Sequence, residues 1–145
     1  MRYIALATLF IITPVSADME LSIGGLSGWI LKEDVVAIKG EPDEKEEFFA
    51  SMYTEAYHYP GLALYFMGDH LVSIDADSEN YCTAQHICPG DHIDQAIAAY
   101  GEPDIKVYDA VDYDQYNFYD AMHHGCWYIS SVDGQNIEEI SIACH

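Results

Sequence analysis

Apolar positions along this chain recur with two periods. Ile93, Ala96, Ile97 and Tyr100 fall at i, i+3, i+4 and i+7, the spacing of a single helical stripe. Leu31, Val35 and Ile38 follow i, i+4, i+7 and predict an earlier helix on the same grounds. Leu62, Leu64 and Phe66 alternate instead, which is the period of a half-buried strand. Both predicted helices run into the tetrapeptide Gly-Glu-Pro-Asp, at 40–43 and, 61 residues later, at 101–104. Glycine tolerates the left-handed conformation that closes a helix, and a proline two residues on cannot continue it. The tetrapeptide therefore reads as a helix stop, and Glu41 and Glu102 are assigned no chemistry. Asp91 is placed to cap the second helix, with Asp94 in its first turn at the positive end of the dipole.

The segments beyond the two stops also correspond. The stretch YHYPGLALYF from Tyr57 has a counterpart in YNFYDAMHHGCWYI from Tyr116, and VSI at 72–74 returns as ISI at 140–142. Strands are expected near Tyr57 and Tyr116, near Leu62 and Trp127, and near Val72 and Ile140. Gly68-Asp69 and Asp133-Gly134 are turn signals before the last strand of each set. The expected fold class is α+β: two tandem helix-plus-antiparallel-strand repeats with the helices packed on one face of the sheet. The boundaries this implies are a signal peptide at 1–17, a first repeat at 18–80 and a second, disulfide-bearing repeat at 81–145.

This duplicated pattern resembles the beta-lactamase-inhibitory protein family and the related small lipoproteins of the outer-membrane assembly machine. Their helix motif runs G-[MLD]-[TS]-x-x-x-V-x-x-x-x-G. Val35 and Gly40 match it in the first copy, where Trp29 stands in place of the first glycine. Gly90 and Gly101 match in the second, with His92 in place of Ser or Thr and Ala96 in place of Val. The resemblance implies a non-enzymatic protein that binds other proteins, in the inhibitors through an exposed sheet face and its loops. It implies no particular target.

The N-terminus changes the setting. Arg2, an apolar run through Ile12, and small residues at Val15 and Ala17 predict export with cleavage after Ala17. The run is shorter than the roughly 20 residues a spanning helix needs, so no membrane insertion is expected after cleavage. No cysteine precedes Cys82, so no lipid anchor is expected either. The predicted location is periplasmic or secreted. Four cysteines in an exported chain suggest two disulfides, for which three connectivities exist. The expected pairs are Cys82–Cys88, a short loop clip, and Cys126–Cys144, joining two late strands. A zinc site finds no C-x-x-C pair to support it.

Charge narrows the partners. The chain carries 25 acidic residues against five basic ones, a formal net charge of −20. Nucleic acid is excluded as a partner because phosphate binding relies on Lys and Arg. A basic protein is the complementary partner. The most unusual stretch is 107–124, where Tyr108, Tyr113, Tyr116 and Tyr119 interleave with Asp109, Asp112, Asp114 and Asp120. Tyrosine supplies rigid amphipathic contact area, and nearby carboxylates can meet Lys or Arg across an interface. Tyr108, Asp112, Tyr113, Asp114, Tyr116, Tyr119 and Asp120 are accordingly the candidate partner-binding residues, against the plainer reading of a half-buried strand.

Other chemistries are weaker. Asp109, Asp112 and Asp114 lack the spacing and closing Glu of a calcium loop. Asp75, Asp77 and Glu79 alternate as one solvated strand face would. The adjacent His123 and His124 would point to opposite faces of a strand. No G-x-S-x-G elbow or other nucleophile motif is present. The expectation is an exported, acidic, non-enzymatic protein-binding module without a cofactor, acting as an inhibitor or immunity protein on a basic secreted enzyme. The alternatives are a cell-envelope assembly or structural factor and, third, a periplasmic metal-binding protein.

Overall fold

The alternation read at Leu62, Leu64 and Phe66 extends across a whole antiparallel sheet. In the computed structural model, residues 21–109, 112–120 and 125–145 are described, without the side chains at 108, 109, 112, 113 and 120. The expected signal peptide, 1–17, lies outside the described residues. Two short paired strands, β1 (Ser22–Ile23) and β2 (Leu26–Ser27), are followed by helix α1 (Lys32–Lys39). Four strands come next: β3 (Glu44–Glu47), β4 (Glu55–Tyr59), β5 (Leu62–Met67) and β6 (His70–Ala76). Helix α2 (Ile93–Tyr100) leads into β7 (Ile105–Asp109), β8 (Asp112–Asp120), β9 (Cys126–Asp133) and β10 (Asn136–Cys144).

The expected α+β architecture of tandem helix–strand repeats is corrected here. Among the described residues, strand makes up 48% and helix only 14%, in two helices, and one eight-stranded antiparallel sheet dominates. Its order is β3-β4-β5-β6-β10-β9-β8-β7, so the two halves of the chain fuse edge to edge through β6 and β10. The physical reason lies in the helix stops, which hold each helix to eight residues, while four strands rather than three succeed each one. The extra strands are the sheet's two edges. Strand β3, Glu-Lys-Glu-Glu, is exposed at every position and carries no apolar pattern from which it could be read.

One register row shows where the core sits. Tyr57, Leu64, Ile74, Ile142, Tyr128 and Phe118 are successive Cα partners across six strands. All six are buried. Val35 of α1, Ile93 and Ala96 of α2, and Ile23 and Leu26 of β1 and β2 belong to the same buried cluster. Fully burying one such side chain stabilises the fold by about 1.5–3 kcal/mol, so this row and its cover dominate the fold's stability.

The second helix follows its predicted stripe, with Ile93 and Ala96 buried and Ile97 and Tyr100 packed against the core. The first does not. Only Val35 is buried; Leu31 precedes the helix and is 39% exposed, and Ile38 is 54% exposed. The cap of α2 is His92, whose Nδ1 accepts from the Asp94 N–H at 3.1 Å, whereas Asp91 Oδ2 accepts from Cys88 N–H. Trp29 N–H donates to Leu71 O, and Gly90 N–H, 61 positions on, to Ile137 O. Both residues have positive φ, 69° and 98°, so Trp29 adopts the conformation that glycine supplies in the second half.

The stops themselves are glycine-specific, though not left-handed helical caps. Gly40 has φ 81° and ψ −174°, and Gly101 has φ 85° and ψ −166°, an extended mirror-image region that L-residues scarcely enter. Each N–H still closes the helix, donating to Val36 O and to Ile97 O at 2.8 Å. A Cβ at either position would meet nothing within 4 Å, so the cost of replacement is conformational alone. Gly40→Val or Gly101→Val is expected to lower stability by about 1–3 kcal/mol, toward the low end because the open surroundings let the chain relax. Chemical denaturation measures this, and parental midpoints in both variants would contradict it.

Candidate functional site

The row next to the core row faces the other way. Ala56, Tyr65, Ser73, Ala143, Trp127 and Tyr119 are register partners across the same six strands. Beside them run His58, Ala63, Asp75, Ser141, Ile129 and Asn117. The helices and the β1–β2 hairpin contribute to the core on the opposite side. Among the described residues no helix or strand is laid over this second face. It is a broad surface of aromatic, small and acidic side chains.

Its centre is a carboxylate pair that the β6–β10 junction brings together. Asp75 lies opposite Ser141 in the register, and Glu139 is the next residue on the same face of β10. Ser141 Oγ donates to Glu139 Oε1 at 3.4 Å. A depression of about 250 Å³ contains Asp75, Glu139, Asp77, His58 and Tyr65 in its lining. Burial raises the pKa of Asp75 above the ordinary 3.8, opposed by the Ser141 hydrogen bond. Burial also raises Glu139 above 4.5, and the neighbouring Asp75 charge adds to it. The Tyr65 phenol is pushed up by burial first and then by the charges of Asp75, Glu139 and Glu46. Burial disfavours the ionised form of all three groups. A nearby ammonium or guanidinium group would favour the ionised carboxylates, with two of them to offset its own desolvation.

The raised values carry a definite sign for stability. Because ionising Asp75 and Glu139 is harder in the folded than in the unfolded chain, their contribution is complete below the ordinary carboxylate values of 3.8 and 4.5. It is lost as pH rises through the higher folded-state values. Asp75→Asn, which keeps the size of the side chain and removes its charge, is expected to melt above the parent at pH 7. The gap should close as the pH falls to about 3.8. Thermal melts across this range decide, and an Asp75→Asn variant less stable than the parent at pH 7 would contradict the assignment.

Of the seven residues singled out from sequence, the side chains of Asp114, Tyr116 and Tyr119 are described, and Tyr116 and Tyr119 take opposite faces of the sheet. Strand β8 is not an edge, being paired to β7 and β9. Tyr116 packs against the core, and Lys106 Nζ lies 5.9 Å from its ring centroid. Tyr119 is on the uncovered face, 44% exposed, with its ring 4.8 Å from Trp127. Asp114 is exposed. The side chains of Tyr108, Asp112, Tyr113 and Asp120 lie outside the described residues. Of the alternating acids, Asp75 is half-buried rather than solvated. The one signal for the carboxylate centre was the pair of matching segments VSI and ISI, whose strands lie side by side.

Both expected disulfides are present, Cys82–Cys88 and Cys126–Cys144. The second links a register pair of β9 and β10. A separate depression of about 530 Å³ beside α1 contains Lys32 and Lys45, but Glu55 and Glu41 already neutralise these ammonium groups. Among the described residues no three His, Cys, Asp or Glu side chains gather as metal ligands, and no helix is long and apolar enough to cross a membrane.

No protein-family model and no curated protein sequence matches this chain. Its fold is similar to that of an extracellular protein containing an SCP domain from Bacillus anthracis str. Ames, with a TM-score of 0.59 and 10% identity. That match covers 99% of this chain and 50% of the other, so the chain spans about half the length of its neighbour. A DUF4309 family protein from Bacillus subtilis matches over 79% of this chain and 78% of its own, at TM-score 0.47 and 15% identity. At these identities the likeness concerns the fold alone.

Proposed function

We propose that this is an exported, acidic protein-binding module that holds a basic partner on the uncovered face of its sheet. The observation that carries the reading is the half-buried Asp75–Glu139 pair brought together at the centre of that face, both carboxyl pKa values raised by burial and that of Glu139 further by the Asp75 charge. A formal charge of −20 steers basic proteins toward it, and Tyr65, Trp127 and Tyr119 offer rigid contact area around it. Two disulfides and the N-terminal pattern at 1–17 support an oxidising compartment outside the cytoplasm. Within this class the role is that of an inhibitor or immunity protein for a basic secreted enzyme, since such a face occludes a partner without needing chemistry of its own.

Capture from the extracellular fraction of the producing cell tests this, with the parent, an Asp75→Asn/Glu139→Gln double variant, and Glu33→Gln of α1 as control. The expected result is a stoichiometric basic protein retained by the parent and the control, weakened in the double variant, and released by salt. Equal capture by all three proteins would reject the face.

A further inference from the structure

Residues 48–54, Phe-Phe-Ala-Ser-Met-Tyr-Thr, join β3 to β4 and are mostly apolar in an otherwise acidic neighbourhood. Phe49 is 87% exposed and Met52 59%. A loop that bared such side chains by default would have few bonds of its own, but this one is tied at its base. Phe48 N–H donates to Thr54 O at 3.1 Å, and Thr54 N–H donates to Phe66 O at 2.8 Å. Thr54 Oγ1 accepts from Gly68 N–H and donates to Phe66 O. Phe48 and Tyr53 both lay their rings on Tyr65, at 6.4 and 5.0 Å between centroids. Between them Ala50 turns the chain with φ 59°.

We propose that this loop is a rigid apolar finger whose Phe49 enters an apolar pocket, rimmed by lysine or arginine, on the partner protein. The proposal rests on the protein-binding reading above and names the partner's chemistry. Two features of the surroundings select that partner. Phe49 is itself part of the lining of a depression of about 360 Å³ that also includes Glu47, Asp69 and the Lys32–Glu55 ion pair, so its collar is net anionic through Glu47 and Asp69. On the other side, Tyr65, which carries the rings of Phe48 and Tyr53, lines the same depression as Asp75 and Glu139 on the uncovered face. Anionic lipid would be repelled by this collar, whereas a basic protein surface complements it. Holding the aromatic in place before binding removes an ordering cost that a loose loop would incur.

The test uses the partner captured by the parent protein and compares binding kinetics of Phe49→Ser, Phe49→Leu and Asp75→Asn/Glu139→Gln. Phe49→Ser is expected to weaken binding about tenfold to a hundredfold, through faster dissociation, with parental association rate and salt slope. Its melting temperature should match the parent's because the ring is exposed, and Phe49→Leu should restore most of the affinity. The double variant should instead slow association and flatten the salt dependence. Parental kinetics for Phe49→Ser alongside a weakened double variant would overturn the finger and leave the face intact. Parental kinetics in both, or no captured partner, would overturn both. Phe49-dependent binding of the parent to phosphatidylcholine or phosphatidylglycerol vesicles would also overturn the finger, by giving it a lipid target.

Discussion

Removal of the Cys126–Cys144 disulfide, as the Cys126→Ala/Cys144→Ala double variant, is expected to lower stability by about 3 kcal/mol in chain-entropy terms. The bridge closes a sequence separation of 18, against 6 for Cys82–Cys88, whose loss should cost nearer about 2 kcal/mol. Burial widens the gap. Cys126 and Cys144 are core residues, whereas Cys82 and Cys88 are only half-buried. The late bridge also locks the end of the β9–β10 ladder beside the central junction of the sheet. Equilibrium unfolding of the two disulfide-deleted proteins measures the difference. A larger loss on removing Cys82–Cys88 would contradict it.

The second large effect is at Gly28. A Cβ there would lie 2.3 Å from Cys144 Sγ and 3.0 Å from Cys126 Sγ, and a buried disulfide has no flexible end that could swing aside. Overpacking of this kind costs about 1–3 kcal/mol, and so close an approach places Gly28→Ala near the upper end. The clash and the bridge share the same atoms, so their effects should not add. In the Cys126→Ala/Cys144→Ala background the sulfurs are gone and Gly28→Ala should cost little. A double-mutant cycle on unfolding free energies is expected to give a coupling of about 1–3 kcal/mol. Simple additivity would show that Gly28 is not held against the bridge.

Much of the local structure was legible because its causes are local. The stripe Ile93, Ala96, Ile97 and Tyr100, the stops at Gly40 and Gly101, the turns at Gly68 and Gly134, and both cysteine pairs depend on neighbouring residues. Leu31 and Ile38 misled because a helix of eight residues at the sheet's margin buries little beyond Val35. Strand β3 was hidden because an edge strand exposed at every position has no reason to alternate. The fold class was misjudged for a non-local reason, since the pairing of β6 with β10 turns two sets of strands into one sheet.

The candidate site was less legible still. Asp75 reads as solvated until β10 sets Ser141 and Glu139 beside it, and no spacing along the chain announces that register. The Tyr/Asp stretch of β8 attracted notice through composition, yet Tyr116 and Tyr119 take opposite faces of the sheet. Phe49 lies in a stretch with no periodic signal; its own exposure, the bonds of Thr54 and the rings on Tyr65 show that it is presented outward.

As proposed, Asp75 and Glu139 receive the partner's cationic group on the uncovered face. NMR titration of their side-chain carboxyl carbons, in the free protein and with its captured partner bound, tests it most directly. Both groups are expected to titrate above 3.8 and 4.5 in the free protein. Both should fall when the partner's cationic group docks against them. Ordinary values in the free protein, or raised values that the partner leaves unchanged, would contradict the account.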